Sequence, residues 1–296
     1  MPGSERSPLP NVRRRALIAL LAGGVAIGCS PLFVRFSEVG PMGTAFWRLF
    51  LALLPLLVFS SLRAARGSGT PRSFSDHLKV MLPGLFLAAD LVAWHIALHK
   101  TSVANATLIS NLAPIFVTLF NWLLLDQRIS KPFLLGLCIT TLGTLSLVGG
   151  PSALDKGHIE GDGVALLAGL AYAGYILLVG WVRQSFSTNS VMIWSTGSAA
   201  LFTLPVALMF EGSLFPLTMA GWLTVVGLAW VSHVGGQGCI AFALAALPTS
   251  FSSLTLLIQP VVAGILAWMF LGEALTAYQF VGGMMVLTGI LIARKG

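Results

Sequence analysis

Residues 102–125 read SVANATLISNLAPIFVTLFNWLLL, and residues 248–271 read PTSFSSLTLLIQPVVAGILAWMFL. Each stretch can cross a bilayer as a helix, since a membrane span takes about 20 mostly apolar residues. From Pro114 to Pro260, and from Trp122 to Trp268, the separation is the same 146 residues. The same shift pairs Leu20-Leu21-Ala22-Gly23 with Leu166-Leu167-Ala168-Gly169, Gly136 with Gly282, and Gly143 with Gly289. One offset that serves the whole half-chain predicts an internal repeat.

The composition indicates membrane spans along the whole chain. Of the 296 residues, 56% are hydrophobic and 9% are charged, whereas a soluble domain carries about 25% charged residues. This balance excludes a cytosolic enzyme, a DNA-binding protein and a disulfide-rich secreted module. Ten apolar segments lie near residues 15–36, 41–62, 78–98, 102–125, 132–149, 161–182, 190–210, 217–242, 247–271 and 276–293. We predict an all-α polytopic membrane protein whose ten transmembrane helices form a single domain over residues 1–296.

The positive charges predict how the chain is oriented. Of the 17 Lys and Arg residues, thirteen lie in the termini and in the loops on their side of the membrane. Three lie on the opposite side, and Arg48 lies inside a span. Cytoplasmic loops carry the excess of Lys and Arg, so we expect both termini to be cytoplasmic. The isoelectric point near 9.8 then needs no nucleic-acid partner.

The repeat and the orientation together predict a transporter. With repeats near residues 15–149 and 161–293, each repeat holds five spans, so the second copy enters the membrane with opposite polarity. Inverted repeats around a central cavity are typical of secondary transporters, whose substrate site lies near the membrane midplane. The sequence lacks a phosphate-binding loop, an H-E-x-x-H motif and a Cys-x-x-Cys pair. We therefore expect no enzyme activity, cofactor, metal site or ATPase subunit.

Six segments carry a resemblance to a known family: residues 46–48, 97–106, 112–114, 243–250, 259–260 and 270–273. Together they resemble the EamA-type drug/metabolite transporter superfamily, with similarity to the YddG-type bacterial aromatic amino acid exporters. The resemblance implies ten helices in two repeats around a cavity that exports small organic metabolites across the bacterial inner membrane. The first repeat has Leu125-Asp126-Gln127 where the second has Leu271-Gly272-Glu273, and we interpret Glu273 as a helix-end residue.

Two ionisable residues inside the predicted spans stand out, because a charge at membrane depth costs several kcal/mol unless it is paired or hydrated. Arg48 could bind a substrate carboxylate by bidentate hydrogen bonds. Alternatively, it could pair with a carbonyl or with Asp90, or reach toward the membrane surface. Asp90 could hold a substrate ammonium group or a proton. Alternatively, it could belong to a buried pair or lie near the cytoplasmic mouth.

Neutral polar and aromatic residues supply further candidates for the substrate site. At 100° per residue, Trp230, His233 and Gln237 share one face of the eighth span, where hydrogen bonding between helices is the alternative role. We assign Trp47, Trp94 and Trp230 to an aromatic wall and His233, Gln237, Asn111 and Gln259 to neutral hydrogen bonds, with Tyr172 and Tyr175 as further lining candidates. A polar stripe on the fourth span comprises Thr107, Ser110, Asn111, Pro114, Thr118 and Asn121.

Pro114 and Pro260 are candidate hinges, because each removes a backbone donor at the equivalent place of its repeat. The favoured function is export of aromatic and other neutral amino acids and related metabolites by alternating access, with a small-molecule substrate and membrane lipid as partners. An alternative is efflux of drugs or quaternary ammonium compounds, which would favour Asp90 and the tryptophans over Arg48. A membrane enzyme acting on lipid would need a cluster of catalytic groups at one surface, and none stands out.

Overall fold

The computed structural model of the chain describes residues 10–63, 69–101, 103–147, 159–272 and 276–295. Over these ranges the backbone consists of helices, turns and short connections, without strands. Glu273, interpreted above as a helix-end residue, lies outside the described residues. The first repeat contains α1 (Pro10–Gly28, continued by Ser30–Arg35), α2 (Pro41–Arg63), α3 (Phe74–Lys100), α4 (Val103–Ser110 and Ala113–Leu125) and α5 (Lys131–Leu147). The second contains α6 (Ile159–Val182), α7 (Thr188–Phe210), α8 (Met219–Gly227, Leu228–Gln237 and Gly238–Ala243), α9 (Thr249–Thr255 and Ile258–Leu271) and α10 (Ala277–Ala293).

The prediction of an all-α membrane protein with ten helices is confirmed in the described ranges. Eight helices are long and apolar enough to cross a bilayer, and α5 and α10 are shorter apolar helices of 17 residues each. The helix ends follow the repeat, since α4 runs from residue 103 to 125 and α9 from 249 to 271. The start of α1 at Pro10 and the end of α10 at Ala293 lie at one end of the bundle, called the terminal end below. The opposite end is called the far end.

The two short helices pack against each other through glycines. A methyl group added at Gly136 would lie 2.5 Å from the carbonyl oxygen of Gly289, and one at Gly143 would lie 2.8 Å from that of Gly282. In lipid there is no hydrophobic driving force between apolar helices. Small residues allow the two backbones to approach closely, and van der Waals contact then stabilises the pair. The two glycine pairs therefore join the repeats at equivalent positions.

At the far end, two acidic side chains form hydrogen bonds between the repeats. Glu38, which follows α1, accepts hydrogen bonds from the backbone nitrogens of Leu217 and Thr218, 2.9 Å each, and from the Thr218 hydroxyl. Glu211, which follows α7, accepts a 2.8 Å bond from the backbone nitrogen of Met42. These bonds satisfy donors at the starts of α2 and α8 that have no partner inside their own helices.

Three helices depart from regular α-geometry near the middle of the membrane. α4 is interrupted at residues 111–112 and α9 at residues 256–257, each just before a proline. Pro114 and Pro260 lack the N–H that would continue the helical ladder, which explains both interruptions. Residues Leu228–Gln237 of α8 form a π-helix, a geometry that often occurs at functional sites.

Candidate functional site

Arg48 of α2 and Asp90 of α3 face each other across the interior of the bundle. The two charges interact electrostatically, yet within the described ranges neither side chain forms an ion pair or a hydrogen bond. The Nε of Arg48 is buried without a partner, while the side chains of both residues keep some accessible surface. Of the alternatives considered for these two residues, the ion pair between Arg48 and Asp90 is therefore absent. Arg48 and Asp90 are thus opposite charges near each other in the interior, without direct contact.

Two tyrosines of α6 stand beside these charges. The rings of Tyr172 and Tyr175 stack with their centroids 6.0 Å apart, and both hydroxyls interact electrostatically with Arg48. The hydroxyl of Tyr175 donates a 3.2 Å hydrogen bond to Oε1 of Gln237 on α8. Tyr172 lies beside the side chains of Gln237 and Gln259, so α6, α8 and α9 all contribute neutral polar groups next to the charged pair.

His233 approaches the same region from the π-helical part of α8. Its Nε2 lies 2.8 Å from the hydroxyl of Thr196 on α7, and its buried Nδ1 has no hydrogen-bond partner. His233 and Gln237 are only 1% and 2% exposed, so both point into the protein. Thr196 was not identified from the sequence, because a hydroxyl in an apolar helix usually bonds to its own backbone and gives no distinctive signal.

Trp230 does not join His233 and Gln237. Its side chain is 50% exposed, and its indole nitrogen donates to the carbonyl of Leu51 on α2 at 3.3 Å. The prediction of a common face assumed a rotation of 100° per residue about the helix axis, but each residue of a π-helix rotates by less. His233 and Gln237, which follow Trp230 by three and seven residues, therefore point in other directions than Trp230. The interpretation of Trp230 as a neighbour of His233 was wrong for this reason.

The other two tryptophans lie in different surroundings. Trp47 belongs to an aromatic cluster near the far end, with its ring centroid 4.9 Å from that of Trp222 and 5.6 Å from that of Phe215. Its indole nitrogen donates to the carbonyl of Leu214, which separates it from Arg48 even though the two are adjacent in sequence. Trp94 packs edge-on against His95 and remains partly exposed, one helical turn beyond Asp90. The structure thus assembles no common wall from Trp47, Trp94 and Trp230.

A narrow pocket opens where the interrupted helices α4 and α9 meet α6. Its free space is about 260 Å³ including the open mouth, and the enclosed part has room for about one water molecule. Gln259 also lines it, with its side chain beside the hydroxyl of Tyr172. The sequence analysis did not identify Ser253, one of the polar residues here. The lining residues are Ser110, Asn111, Ala113, Pro114, Tyr172, Ile176, Ser253, Leu256, Leu257 and Gln259.

Below this pocket, α4 and α9 are joined at the terminal end. The amide nitrogen of Asn121 donates to the hydroxyls of Thr249 at 2.8 Å and Ser250 at 2.7 Å. Asn121 is 1% exposed, so these bonds form in a region without water. Pro114 itself lines the pocket, and Pro260 follows the lining residue Gln259 in α9. Across the described ranges, no three His, Cys, Asp or Glu side chains are close enough to bind a metal ion.

A known family matches both five-helix repeats of the chain. The model of the EamA-like transporter family matches residues 14–149 and, a second time, residues 159–294. The chain belongs to the EamA-like transporter family. It is therefore a multi-pass membrane protein that transports a small-molecule substrate, and its relatives are transporters rather than enzymes.

Curated relatives of this EamA-like protein are similar over most of their length. An uncharacterized transporter of Archaeoglobus fulgidus is 27% identical over 94% of this chain and 95% of its own. The threonine/homoserine exporter RhtA of Salmonella typhimurium is 26% identical over 100% of this chain and 94% of its own. The pseudopaline exporter CntI of Pseudomonas aeruginosa is 24% identical over 82% and 83%. A crystal structure with 17% identity superposes with a TM-score of 0.80, covering 95% of this chain and 97% of that one, which shows the fold.

Proposed function

We propose that this EamA-like transporter exports neutral amino acids and related small metabolites by alternating access. The observation that carries the proposal is the unpaired state of Arg48 and Asp90, which interact across the interior without touching. A buried charge without a partner is strongly unfavourable. A zwitterion placed between the two side chains would give each of them a partner, with the carboxylate on Arg48 and the ammonium on Asp90.

The surrounding groups favour a substrate with no net charge. Tyr172, Tyr175, Gln237 and Gln259 are neutral hydrogen-bonding side chains, and His233 lies between its Thr196 partner and the interior. An acidic or basic side chain would bring a third charge into this region, where it would cost several kcal/mol without a counter-charge. We therefore expect glutamate and lysine to be poor substrates.

The relatives support export and the class of cargo. One is named for the export of threonine and homoserine and another for the export of pseudopaline. The excess of Lys and Arg on the side of the termini supports an inner-membrane location with both termini in the cytoplasm. Preference for aromatic amino acids, which rests on the resemblance to the YddG-type exporters, stays a prediction.

Efflux of drugs or quaternary ammonium compounds is less well supported. A bare cation would use Asp90, but it would leave Arg48 unpaired and would be repelled by the guanidinium. Trp47 and Trp230 also lie apart from each other, so these two tryptophans do not form a shared aromatic cage for such a cation.

Transport in liposomes containing the purified protein tests the proposal. We expect labelled neutral amino acids to be taken up, with inhibition by tryptophan, phenylalanine and a neutral aliphatic amino acid but not by glutamate or lysine. Imposed proton and sodium gradients identify the coupling ion. Equal inhibition by charged and neutral amino acids, or inhibition by tetraethylammonium alone, would contradict a zwitterion site.

A further inference from the structure

The hydroxyl of Thr196 on α7 differs from its neighbours in the hydrogen bond it makes. Ser195 bonds to a carbonyl of its own helix at 2.6 Å, and Thr203, two turns further along, donates to the carbonyl of Ala199 at 2.9 Å. A bond to the carbonyl four residues earlier is common for serine and threonine in a helix. Within the described ranges Thr196 makes no such bond, and its hydroxyl is joined to Nε2 of His233 at 2.8 Å instead.

Tight packing between α3 and α7 fixes the backbone around Thr196. A methyl group added at Gly84 of α3 would lie 2.0 Å from the carbonyl oxygen of Ser195 and 2.0 Å from the hydroxyl of Ser198. The hydroxyl of Ser198 also donates to the carbonyl of Met81 at 2.8 Å. The residues on both sides of Thr196 are therefore held against α3, while its own hydroxyl bonds to α8.

The hydrogen of the Thr196 hydroxyl determines which nitrogen of His233 carries the ring hydrogen. A neutral imidazole has one nitrogen that donates and one that accepts, and a hydroxyl has a single hydrogen. If Nε2 accepts from Thr196, the ring hydrogen lies on Nδ1, and only Nδ1 lacks a partner. If Nε2 donated instead, the Thr196 hydrogen would have no acceptor and Nδ1 would have no donor. Because each unsatisfied buried group is unfavourable, the first arrangement is the more stable one.

This arrangement gives the interior two buried donors without an acceptor. In the part of the chain that the structure describes, neither Nδ1 of His233 nor Nε of Arg48 has a hydrogen-bond partner, and the two residues interact electrostatically. A carboxylate accepts hydrogen bonds at both of its oxygens, and a bond to a charged acceptor is about twice as strong as one between neutral groups. A carboxylate is therefore the ligand that best satisfies both donors.

We infer that Thr196 is a positioning residue, which holds the ring hydrogen of His233 on Nδ1 so that His233 and Arg48 together bind the substrate carboxylate. Because both nitrogens are buried, the carboxylate reaches them when the helices around them separate, as alternating access requires. The inference rests on the proposed function, which places the carboxylate on Arg48. A carboxamide has one neutral acceptor oxygen and binds the two donors more weakly.

The pair of Thr196 and His233 is not part of the repeated framework. At the offset of 146 residues, Thr196 corresponds to Phe50 and His233 to Leu87, neither of which can form a side-chain hydrogen bond. The second repeat alone therefore supplies this pair, and the first repeat supplies Arg48.

Nitrogen-15 NMR of the purified full-length protein tests the tautomer without a transport assay. The chain has five histidines, and the signals of His233 are those that disappear in His233→Ala. We expect the ring hydrogen on Nδ1 in the wild type and in Thr196→Ser, and both tautomers in Thr196→Val. Thr203→Val is the matched control, since Thr203 is buried in the same helix but bonds to its own backbone. A wild-type protein with the hydrogen on Nε2 would overturn the inference.

Uptake of labelled alanine into liposomes tests the effect on the substrate. We expect Thr196→Val to raise the alanine concentration for half-maximal uptake about tenfold with little change in the maximal rate, because a hydrogen bond to a charged group is weakened. Thr196→Ser and Thr203→Val should behave as the wild type. Alaninamide, which has no carboxylate, should inhibit Thr196→Val and the wild type equally and weakly.

A double variant separates positioning from a merely structural role. If Thr196 acts through His233, Thr196→Val causes no further loss of uptake in the His233→Ala background, whereas independent structural losses add. If no neutral amino acid enters the liposomes, the proposed function fails, and NMR still decides whether Thr196 determines the tautomer. If alanine enters but Thr196→Val takes it up as the wild type does, or if the two losses add, transport stands and the inference is overturned.

Discussion

The two repeats share their helix ends but not their polar side chains. At the offset of 146 residues, Arg48 corresponds to Trp194, Asp90 to Gly236 and Gln259 to Ala113. The first repeat contributes both interior charges, whereas the second contributes neutral amides, tyrosines and a histidine. From this difference we infer that the symmetric backbone and the asymmetric side chains have separate roles. Alternating access, as proposed, would use the repeated backbone for two equivalent open states, and the proposed site would take its side chains from both repeats.

The same contrast separates the two ends of the α4–α9 contact. At the terminal end, Asn121 bonds to Thr249 and Ser250. The equivalent residues at the far end are Ala267 and residues 103–104, Val and Ala, which have no side-chain hydrogen-bonding groups. The side-chain hydrogen bonds of this contact therefore lie at the terminal end.

Removing one interior charge should have the largest effect on transport, because both charges belong to the first repeat. We expect Arg48→Ala to reduce amino acid transport in liposomes by about 100-fold or more, because a substrate carboxylate left bare at membrane depth costs about 3 kcal/mol. Asp90→Asn should reduce it similarly. Lys79→Ala removes a positive charge near the terminal end and serves as the control with normal transport. If Arg48→Ala transports at the wild-type rate, Arg48 does not belong to the substrate site.

Breaking the Asn121 contact should shift the balance between open states by about tenfold, since it removes two hydrogen bonds of about 0.5–1.5 kcal/mol each. The shift is measured with Ala113→Cys in the pocket, labelled by an impermeant thiol reagent from each side in a background without the three native cysteines. We expect Asn121→Ala to increase labelling from the terminal side.

The reverse substitution sharpens the same test. Ala267→Asn places an amide at the equivalent position of the far end, opposite residues 103–104. Because those residues offer no hydroxyl, Ala267→Asn alone should have little effect on labelling. Adding Val103→Thr and Ala104→Ser should increase closure of the far end. If Asn121→Ala leaves the labelling pattern unchanged, the asymmetric hydrogen bonds do not set the state.

Replacing the hinge prolines should have a smaller effect. Pro114→Ala or Pro260→Ala restores one backbone donor, so we expect each to change the ratio of labelling from the two sides by about fivefold, with little change in thermal stability. Because the two prolines are equivalent, their effects should be opposite in direction. Wild-type transport rates in both variants would show that the prolines only shape the helix interruptions.

Much of the fold follows from the sequence, because bilayer thickness sets the length of each apolar segment and a fixed offset relates the repeats. The expected segment near 102–125 corresponds to α4 from Val103 to Leu125. The interruptions at residues 111–112 and 256–257 also have a visible cause in the prolines that follow. The π-helix of α8 has no such signal, since it depends on how Leu228–Gln237 pack against the neighbouring helices.

The site was harder to predict for the same physical reason. Polar residues in apolar helices identify the interior groups, and the structure brings Arg48, Asp90, His233, Gln237 and Gln259 into one region. Whether the other predicted residues join them depends on where each side chain points from its helix. Trp47 packs in the aromatic cluster at the far end because its indole nitrogen donates to the carbonyl of Leu214. The π-helix turns Trp230 away from His233. Neither effect is encoded in the spacing of residues.

The smallest expected effect concerns Glu38, an ionisable residue that fastens the two repeats at the far end. Its hydrogen bonds to Thr218 and Leu217 hold the pKa of the Glu38 carboxyl below its ordinary value of 4.5. A carboxyl whose pKa is lowered by folding contributes stability above its ordinary pKa, and this contribution is lost as the pH falls through the lowered value. Glu38→Gln should therefore lower the melting temperature of the purified protein slightly at pH 7. The difference from wild type should shrink as the pH falls below 4.5, because the protonated carboxyl also loses its charge-assisted bonds. Asp126→Asn removes an acid from the terminal end without touching these bonds, and it should not show this dependence. A difference that stays constant down to pH 3 would mean that the far end is held by the apolar and aromatic contacts around Trp47 rather than by the carboxylate.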